Sequence, residues 1–454
     1  MTRNRDHLLF LRFFLGTLAF SIIYIYLLGN PRVSYDGWQY LSSAKAIMTS
    51  TLSENYFWVR QPGYPLFIAV SSLLSNSLWF LFGAQVLSFI LAYTFFVYEC
   101  KKYFTDLSKR DFLLLASINF AFIFLFIGGY FIIVTPQAIT GAFLLLLTAG
   151  ILRVWRIFNS VELSKRFSGK IFDSLFLYIF FPLMTVSGYC LSTFIGLVPI
   201  LSLLSMLTLA TYSNFKNPDR TTAQLFRGNF KWVSTIILST LAFLSIFMLW
   251  QILFTHALND IHFNAANLQD PFWGDGISSY FNNLRADPTL LHYIPASFLA
   301  LIMFIPNQGW NGVAVERSMN SHSQNGDIGF GLFSTNYGQC VLSPPEVLTV
   351  NNKFISDFLW QNTCAFTGFD LPLFAYLVVF PLWIAFCGVW IWSLFKRKHT
   401  VTYIVSTPVL IFLGVYSILG GGIDRYGSSA YPMITFLSIL TIYDFFQRTR
   451  LKSI

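Results

Sequence analysis

The sequence predicts an all-α polytopic membrane protein with about ten transmembrane helices. Hydrophobic residues make up 55% of the 454 residues and charged residues only 11%, against roughly 25% charged residues in soluble domains. The mean hydropathy is +0.60, and apolar runs of about 20 residues, long enough to cross a bilayer, recur along most of the chain. Together these observations exclude a soluble globular enzyme, a disordered chain, a coiled coil and a secreted disulfide scaffold.

Ten apolar segments have the length of a transmembrane helix. The first segment follows Arg3, Arg5 and Arg12, and no small-residue cleavage site precedes the next polar segment, so it is predicted to be an uncleaved signal anchor. The predicted spans lie near residues 8–29, 78–98, 112–133, 135–152, 172–188, 194–212, 232–254, 372–394, 401–420 and 430–446.

The basic residues indicate the orientation of these spans. With the N-terminus in the cytoplasm, 22 of the 29 basic residues lie at cytoplasmic ends of spans, whereas 12 of the 20 acidic residues lie on the opposite side. This is the distribution that the positive-inside rule expects, so both termini are predicted to be cytoplasmic. The same rule accounts for the net charge of +9, and no nucleic-acid partner is predicted.

The segments between the spans divide the chain further. Residues 63–75 are apolar but too short to span, so they predict an interfacial or re-entrant segment. In the first external loop, residues 30–62, five apolar residues recur at helical spacing and predict an amphipathic juxtamembrane helix lying on the membrane: Leu41, Ala44, Ile47, Met48 and Leu52. The predicted organisation is an N-terminal transmembrane module (1–254), a small external region between helices 7 and 8 (255–371) and C-terminal transmembrane helices (372–454).

Charged residues are almost absent from the interiors of the predicted spans. A transporter usually places ionisable groups at mid-depth in its bundle, so the sequence disfavours transport. Charges gather instead at the predicted outer rim, in Asp36, Arg60, Asp424 and Arg425. This distribution predicts an active site at the outer membrane surface.

Three segments at that rim resemble a known family. They are Ser34-Tyr35-Asp36-Gly37-Trp38-Gln39-Tyr40, Arg60-Gln61-Pro62-Gly63-Tyr64-Pro65 and Asp424-Arg425-Tyr426 followed by Tyr431-Pro432. In order and spacing they resemble the GT-C superfamily of integral-membrane glycosyltransferases, in particular the protein O-mannosyltransferases and the aminoarabinose transferase of lipid A. The resemblance covers residues 1–212 and 401–446. Phage-type glucosyltransferases that modify O-antigen are similar in size and layout.

The resemblance implies a GT-C fold and an inverting transfer of a sugar from a polyprenyl-phosphate carrier to a hydroxyl group. Asp36 is then the catalytic carboxylate, which takes the proton of the attacking hydroxyl. Arg425 binds the donor phosphate, with Arg60 as a second cation and Tyr426 beside them, because a guanidinium binds phosphate bidentately. Tyr35, Tyr40 and Tyr64 are assigned to substrate binding.

Two departures from the family pattern concern metal binding. Gly37 follows Asp36 where many relatives have a second acid, and the second external loop reads Thr135-Pro136-Gln137 where many have a carboxylate. Fewer carboxylates predict an enzyme without a metal or other cofactor. His256, Asp260 and His262 lack the i, i+4 histidine spacing and predict no zinc site.

Each site residue also has a structural interpretation. Asp36 could be a helix N-cap, Arg60 an anchor for lipid headgroups, and Arg425 the partner of Asp424 in a surface salt bridge. The Pro62-Gly63-Tyr64-Pro65 segment could be only a turn. The competing function is a flippase or transporter of lipid-linked glycans, which requires a continuous polar path across the bilayer.

The expected location is the inner (plasma) membrane of a bacterium, with the active site on the periplasmic side. The expected acceptor is a membrane-tethered glycan such as lipopolysaccharide O-antigen, because the external region is small and has no obvious carbohydrate-binding domain. Cys340 and Cys364 are the two cysteines of this region, with 23 residues between them, and the periplasm is oxidising, so a disulfide is predicted between them. Two free thiols are the alternative.

Overall fold

The computed structural model describes ten stretches of the chain and a few isolated residues. The stretches are 2–28, 61–75, 78–105, 107–127, 136–159, 167–215, 222–260, 373–395, 400–418 and 427–452, and the isolated residues are 40, 41, 43–45, 47, 48, 134 and 298. Every regular element within these residues is helical.

Eleven helices of 12 residues or more lie within these ranges. They are α1 (Thr2–Leu28), α2 (Gly63–Leu74), α3 (Leu78–Lys101), α4 (Lys109–Ile127), α5 (Gln137–Asn159), α6 (Phe167–Leu191), α7 (Thr193–Phe215), α8 (Thr222–Asp260), α9 (Leu373–Phe395), α10 (Thr400–Ile418) and α11 (Tyr431–Lys452). A helix coincides with each of the ten predicted spans, so their helical state is confirmed. The eleventh, α2, occupies the apolar segment that was predicted to be interfacial or re-entrant.

Five of these helical regions are long and apolar enough to cross a membrane, within the residues that the structure describes. They are Trp79–Lys101, Gln137–Arg156, Phe194–Tyr212, Phe230–Leu249 and Ser428–Phe446. Within the same residues, the apolar parts of α1, α2, α6, α9 and α10 are 10–17 residues long. The chain is therefore an all-α membrane protein, while the number of ten spans and their orientation stay predictions.

Helix α8 is much longer than a membrane span. Its 39 residues correspond to about 58 Å, against a hydrocarbon core of about 30 Å. It continues to Asp260, six residues past the end at 254 expected from hydropathy. It therefore includes the first residues of the predicted external region.

Helix α5 lies in the interior of the bundle. Within its apolar window, 83% of the residues are buried inside the protein, and it packs against α3, α6 and α10. Aromatic side chains fill much of the surrounding core; Phe89, Phe120 and Phe124 pack in one cluster with Leu144 and Leu145 of α5. This burial fixes the position of both ends of α5.

Polar contacts hold the beginning of α11 in the bundle. Asn119 of α4 donates through Nδ2 to the hydroxyl of Tyr93 on α3 (2.8 Å) and to the carbonyl oxygen of Pro432 (3.1 Å). The ring of Tyr431 packs on Trp383 of α9, with the centroids 4.0 Å apart. A hydrogen bond to the first turn of α11 in an apolar interior is expensive to lose, so these contacts position the third sequence motif.

The described residues between 40 and 48 are helical, as the spacing predicts. Their apolar side packs against other helices, however, and was predicted to lie on the membrane. Leu41 and Ala44 are buried in a cluster with Tyr64 and Ile68 of α2 and Phe82 of α3. The apolar face of this segment therefore packs on protein, and Met48 is exposed.

Candidate functional site

The structure describes two of the site residues predicted from the sequence, Tyr40 and Tyr64. The other predicted residues lie outside its described part: Tyr35, Asp36, Arg60, Arg425, Tyr426, Cys340 and Cys364. The geometry of the site therefore comes from the residues that directly flank them in the chain.

The first and second motifs touch through Tyr40 and Tyr64. Their rings meet edge to face, with centroids 4.9 Å apart and planes at 89°, a favourable aromatic geometry. Tyr64 is 1% exposed, and its hydroxyl donates to Oε1 of Gln85 on α3 over 2.6 Å. The structure thus gives Tyr64 a role in joining the first external loop to α3, and substrate contact stays a prediction for both tyrosines.

The Pro62-Gly63-Tyr64-Pro65 segment begins a helix and is more than a turn. Pro62 directly precedes α2, and its carbonyl oxygen accepts a hydrogen bond from the backbone N–H of Leu66. Gly63 has no room for a side chain, because a Cβ there would lie 2.7 Å from the carbonyl oxygen of Cys190. The glycine therefore lets the start of α2 pack directly on the backbone near the end of α6.

A buried turn lies between the two parts of the third motif. Residues 427–430 are buried and include a 3₁₀ turn, Ser428–Ala430, that leads directly into α11. The hydroxyl of Ser429 donates to the backbone carbonyl oxygen of Gln137, 3.2 Å away. This bond fixes the turn against the first residue of α5.

The beginning of α5 brings the three motifs together. Val134 lies in the cluster that contains Tyr40 and Tyr64, and Ile139 packs against that cluster. Gln137, between them, accepts the hydrogen bond from Ser429. The described parts of all three motifs therefore meet around residues 134–141, at one end of the bundle.

Two polar residues in this area had no place in the sequence-based site. Lys45 is 3% exposed and Gln137 is 5% exposed; lysine is almost never buried without a partner. Oε1 of Gln137 accepts no hydrogen bond from the described part of the chain. The only sequence signals were a charge within the helical pattern after Ala44 and a glutamine directly after Thr135-Pro136, and neither pattern reveals burial.

The chemistry available at this end of the bundle is that of a cation and a carboxamide among aromatic rings. Such groups can bind a phosphate or the hydroxyl groups of a sugar. No group of three or more His, Cys, Asp or Glu side chains lies together within the described residues. Among those same residues the buried charged side chains are Lys45 and Glu99, and Glu99 lies near the opposite end of α3.

Comparison of the chain with models of protein families, with curated proteins and with solved structures found no match.

Proposed function

We propose that this chain is an inverting glycosyltransferase of the GT-C type that transfers a sugar from a polyprenyl-phosphate carrier to a hydroxyl group of a glycan acceptor. The observation that carries the proposal is the meeting of the described parts of all three motifs around the beginning of α5. Residues that are far apart in the chain and that also carry the family pattern share one end of an apolar bundle.

Short sequence separations support a common site for the proposed reactive residues. Asp36 precedes Tyr40 by four residues, Arg60 precedes Gly63 by three, and Arg425 precedes Gly427 by two. Tyr40, Gly63 and Gly427 each belong to a described segment that lies close to the beginning of α5 in space. The proposal assigns Asp36 as the general base and Arg425 and Arg60 as cations for the donor phosphate.

A site at the end of an apolar bundle suits a lipid-linked donor. The polyprenyl chain can remain among lipid-facing helices while its phosphate lies at the membrane surface, where cations stabilise the leaving phosphate. In this proposal Tyr426 assists donor binding, Tyr35 contacts substrate, and no metal takes part. The setting is a bacterial inner membrane with a periplasmic site, and the acceptor is a membrane-tethered glycan such as lipopolysaccharide O-antigen.

Substitution of the proposed base tests the function. Purified protein given defined polyprenyl-phosphate sugars and extracted glycans is expected to transfer sugar, and Asp36→Asn is expected to lower the rate by about 10² to 10⁴. Asp111→Asn is the matched control, because Asp111 is a partly exposed acid at the start of α4. Turnover of Asp36→Asn within about tenfold of the parent would refute the general-base role.

The flippase or transporter alternative makes a different prediction. It requires polar groups along the depth of the bundle, whereas the buried charged side chains described are Lys45 and Glu99, near opposite ends of α3. Transport of an intact lipid-linked glycan across the membrane of vesicles that contain the protein, without any change in its sugar content, would favour a flippase or transporter.

A further inference from the structure

A second charged cluster lies at the other end of the bundle, where α3 and α5 finish. Glu99 is 1% exposed; its Oε1 lies 2.6 Å from Nζ of Lys102, and its Oε2 lies 3.4 Å from Nη2 of Arg156. Arg153 lies one turn before Arg156, and Lys101 precedes Lys102. We call Lys101, Lys102, Arg153 and Arg156 the basic cluster.

Aromatic rings hold two of these cations in place while leaving the cluster open. The guanidinium of Arg153 lies 4.5 Å from the ring centroid of Phe176 on α6, and Nζ of Lys102 lies 3.9 Å from that of Tyr98. The side chains of Lys102 and Arg156 are 24% and 34% exposed. A ligand can therefore reach cations whose positions are already fixed.

Glu99 carries less negative charge than its two cationic partners carry positive charge. Lys102 and Arg156 both lie on this one buried carboxylate, which leaves an excess of one positive charge among the three side chains. Nε of Arg156 is buried and has no acceptor within the described residues. Burial lowers the pKa of Lys102. The hydrogen bond to Glu99 raises that pKa, but by less than burial lowers it. A second anion would offset the desolvation of these cations and supply hydrogen-bond acceptors.

The position of the cluster identifies the kind of anion. The apolar windows of α3 and α5 end at Lys101 and Arg156, which places the cluster where a bilayer has its phosphate groups. On α6, Ile179 and Leu183 are each 59% exposed, and they follow Phe176 at helical spacing on the way into the membrane. This apolar track suits acyl chains below a bound headgroup.

We propose that the basic cluster is a binding site for the headgroup of an anionic phospholipid. The phosphate would lie against Arg153, Arg156 and Lys102, and the acyl chains would lie along the exposed face of α6. A guanidinium binds a phosphate bidentately. A zwitterionic lipid is a poorer partner, because its ammonium group brings positive charge to Lys102 and Arg156, whose charge already exceeds that of Glu99.

Lipid titration of the purified full-length chain tests this site. In native mass spectrometry and thermal-shift measurements, phosphatidylglycerol is expected to bind and stabilise, and phosphatidylcholine is expected to bind at least about tenfold more weakly. Arg153→Gln should weaken phosphatidylglycerol binding by about tenfold, because it removes a charge-assisted hydrogen bond to the phosphate. Arg110→Gln is the matched control, because Arg110 is exposed at the start of α4 and the charge change is the same.

Two further variants distinguish a lipid-binding site from an ion cluster that has only a structural role. Arg153→Lys keeps the charge and should recover only part of the binding, whereas Glu99→Gln removes the competing carboxylate and should tighten binding in any variant that folds. Equal binding of phosphatidylglycerol and phosphatidylcholine would overturn the proposal. Equal stabilisation by inorganic phosphate, or an unchanged affinity in Arg153→Gln, would overturn it as well.

Discussion

Gly63 is the residue at which the second motif depends most directly on packing. A Cβ at this position would lie 2.7 Å from the carbonyl oxygen of Cys190, which is backbone and cannot turn aside. We expect Gly63→Ala to destabilise the protein by about 1–3 kcal/mol through overpacking and to lower sugar transfer by displacing α2. Thermal unfolding in detergent measures the first effect and the transfer assay the second.

Gly83 provides the control for that substitution. It lies within α3, and a Cβ there would meet nothing within 4 Å. Gly83→Ala should therefore leave stability unchanged or raise it, by up to about 1 kcal/mol, because alanine is the better helix former. If both alanine variants unfold at the temperature of the parent protein, close packing at Gly63 is not required.

Arg425 allows the proposed donor contact to be tested by geometry as well as by charge. Arg425→Lys keeps a cation but loses the planar, bidentate guanidinium. We expect it to raise the KM for the polyprenyl-phosphate sugar, and Arg425→Ala to raise it further. Initial rates at varied donor concentration measure this effect, with Arg110→Gln as a control for the loss of an exposed charge. A donor KM that stays constant in both variants contradicts the assignment.

Individual residues of the site were only partly predictable. Tyr40 and Tyr64 belong to two separate motifs, and the structure brings their rings into contact. Lys45 and Gln137 are not predictable as site residues, because a single polar residue beside an apolar pattern gives no sign of its burial. The backbone carbonyl oxygen of Gln137 accepts a hydrogen bond from Ser429, a partner that lies far along the chain.

At the scale of helices, the apolar runs predicted the elements well for a physical reason. A segment in lipid must satisfy its backbone hydrogen bonds internally, so an apolar run of about 20 residues becomes a helix whatever its other residues are. Hydropathy marks the hydrocarbon core, however, and a helix can continue into water. This explains why α5 extends to Asn159 and α8 to Asp260.

The segment at 40–48 shows what periodicity leaves undecided. Leu41 and Ala44 recur at the spacing of an apolar helix face, and that pattern is the same for a face on lipid and a face on protein. This face packs on protein because Tyr64 and Ile68 of α2 and Phe82 of α3 complete the cluster around it. No pattern within the segment itself contains this information.

Asn119 connects α4 to both α3 and α11, and its removal should loosen the third motif. Asn119→Ala deletes the donor to the Tyr93 hydroxyl and to the Pro432 carbonyl oxygen, which should cost about 1–3 kcal/mol. We expect a lower unfolding temperature together with weaker donor use, measured by thermal shift and by transfer kinetics.

Ser117 on the same helix is the control for Asn119. Its hydroxyl donates only within α4, to the carbonyl oxygen of Leu113, so Ser117→Ala should change stability by less than about 1 kcal/mol. An Asn119→Ala protein that matches Ser117→Ala in both measurements would show that the link from α4 to α11 is dispensable.

For the molecule as a whole, the cysteines test both the external region and the packing of the bundle. Cys340 and Cys364 are expected to form a disulfide and to react with a maleimide only after reduction; closing this loop should stabilise the fold by roughly 3 kcal/mol. In the described part of the chain, Cys100 and Cys387 are buried and Cys190 is partly exposed. Labelling of native, unreduced protein should therefore modify Cys190 first.

Quantitative mass spectrometry of the labelled peptides decides the outcome. Modification of Cys340 and Cys364 before reductant is added would rule out the bridge. Modification of Cys100 and Cys387 at the rate of Cys190 would contradict the packing of α3 and α9. The two results are independent, so the test separates the external region from the bundle.

The sequence predicted the separate segments of the candidate site, but it did not predict the contacts by which they meet at one end of the bundle. Composition and hydropathy predicted a membrane protein, and the motif resemblance predicted that three distant segments work together. Their common contact with residues 134–141 follows from the packing of α5 among α3, α6 and α10. Such contacts between distant segments leave no periodic signal in the sequence.

The position of α5 also determines the order in which the protein can be assembled. Ser429 follows Gln137 by 292 residues, and at about 5–20 residues per second a ribosome needs about 15–60 s to synthesise that interval. During this time the beginning of α5 is in the membrane without the turn that covers it. The candidate site is thus among the last parts of the protein to form, and a nascent chain interrupted before residue 427 would carry every upstream motif and still lack a complete site.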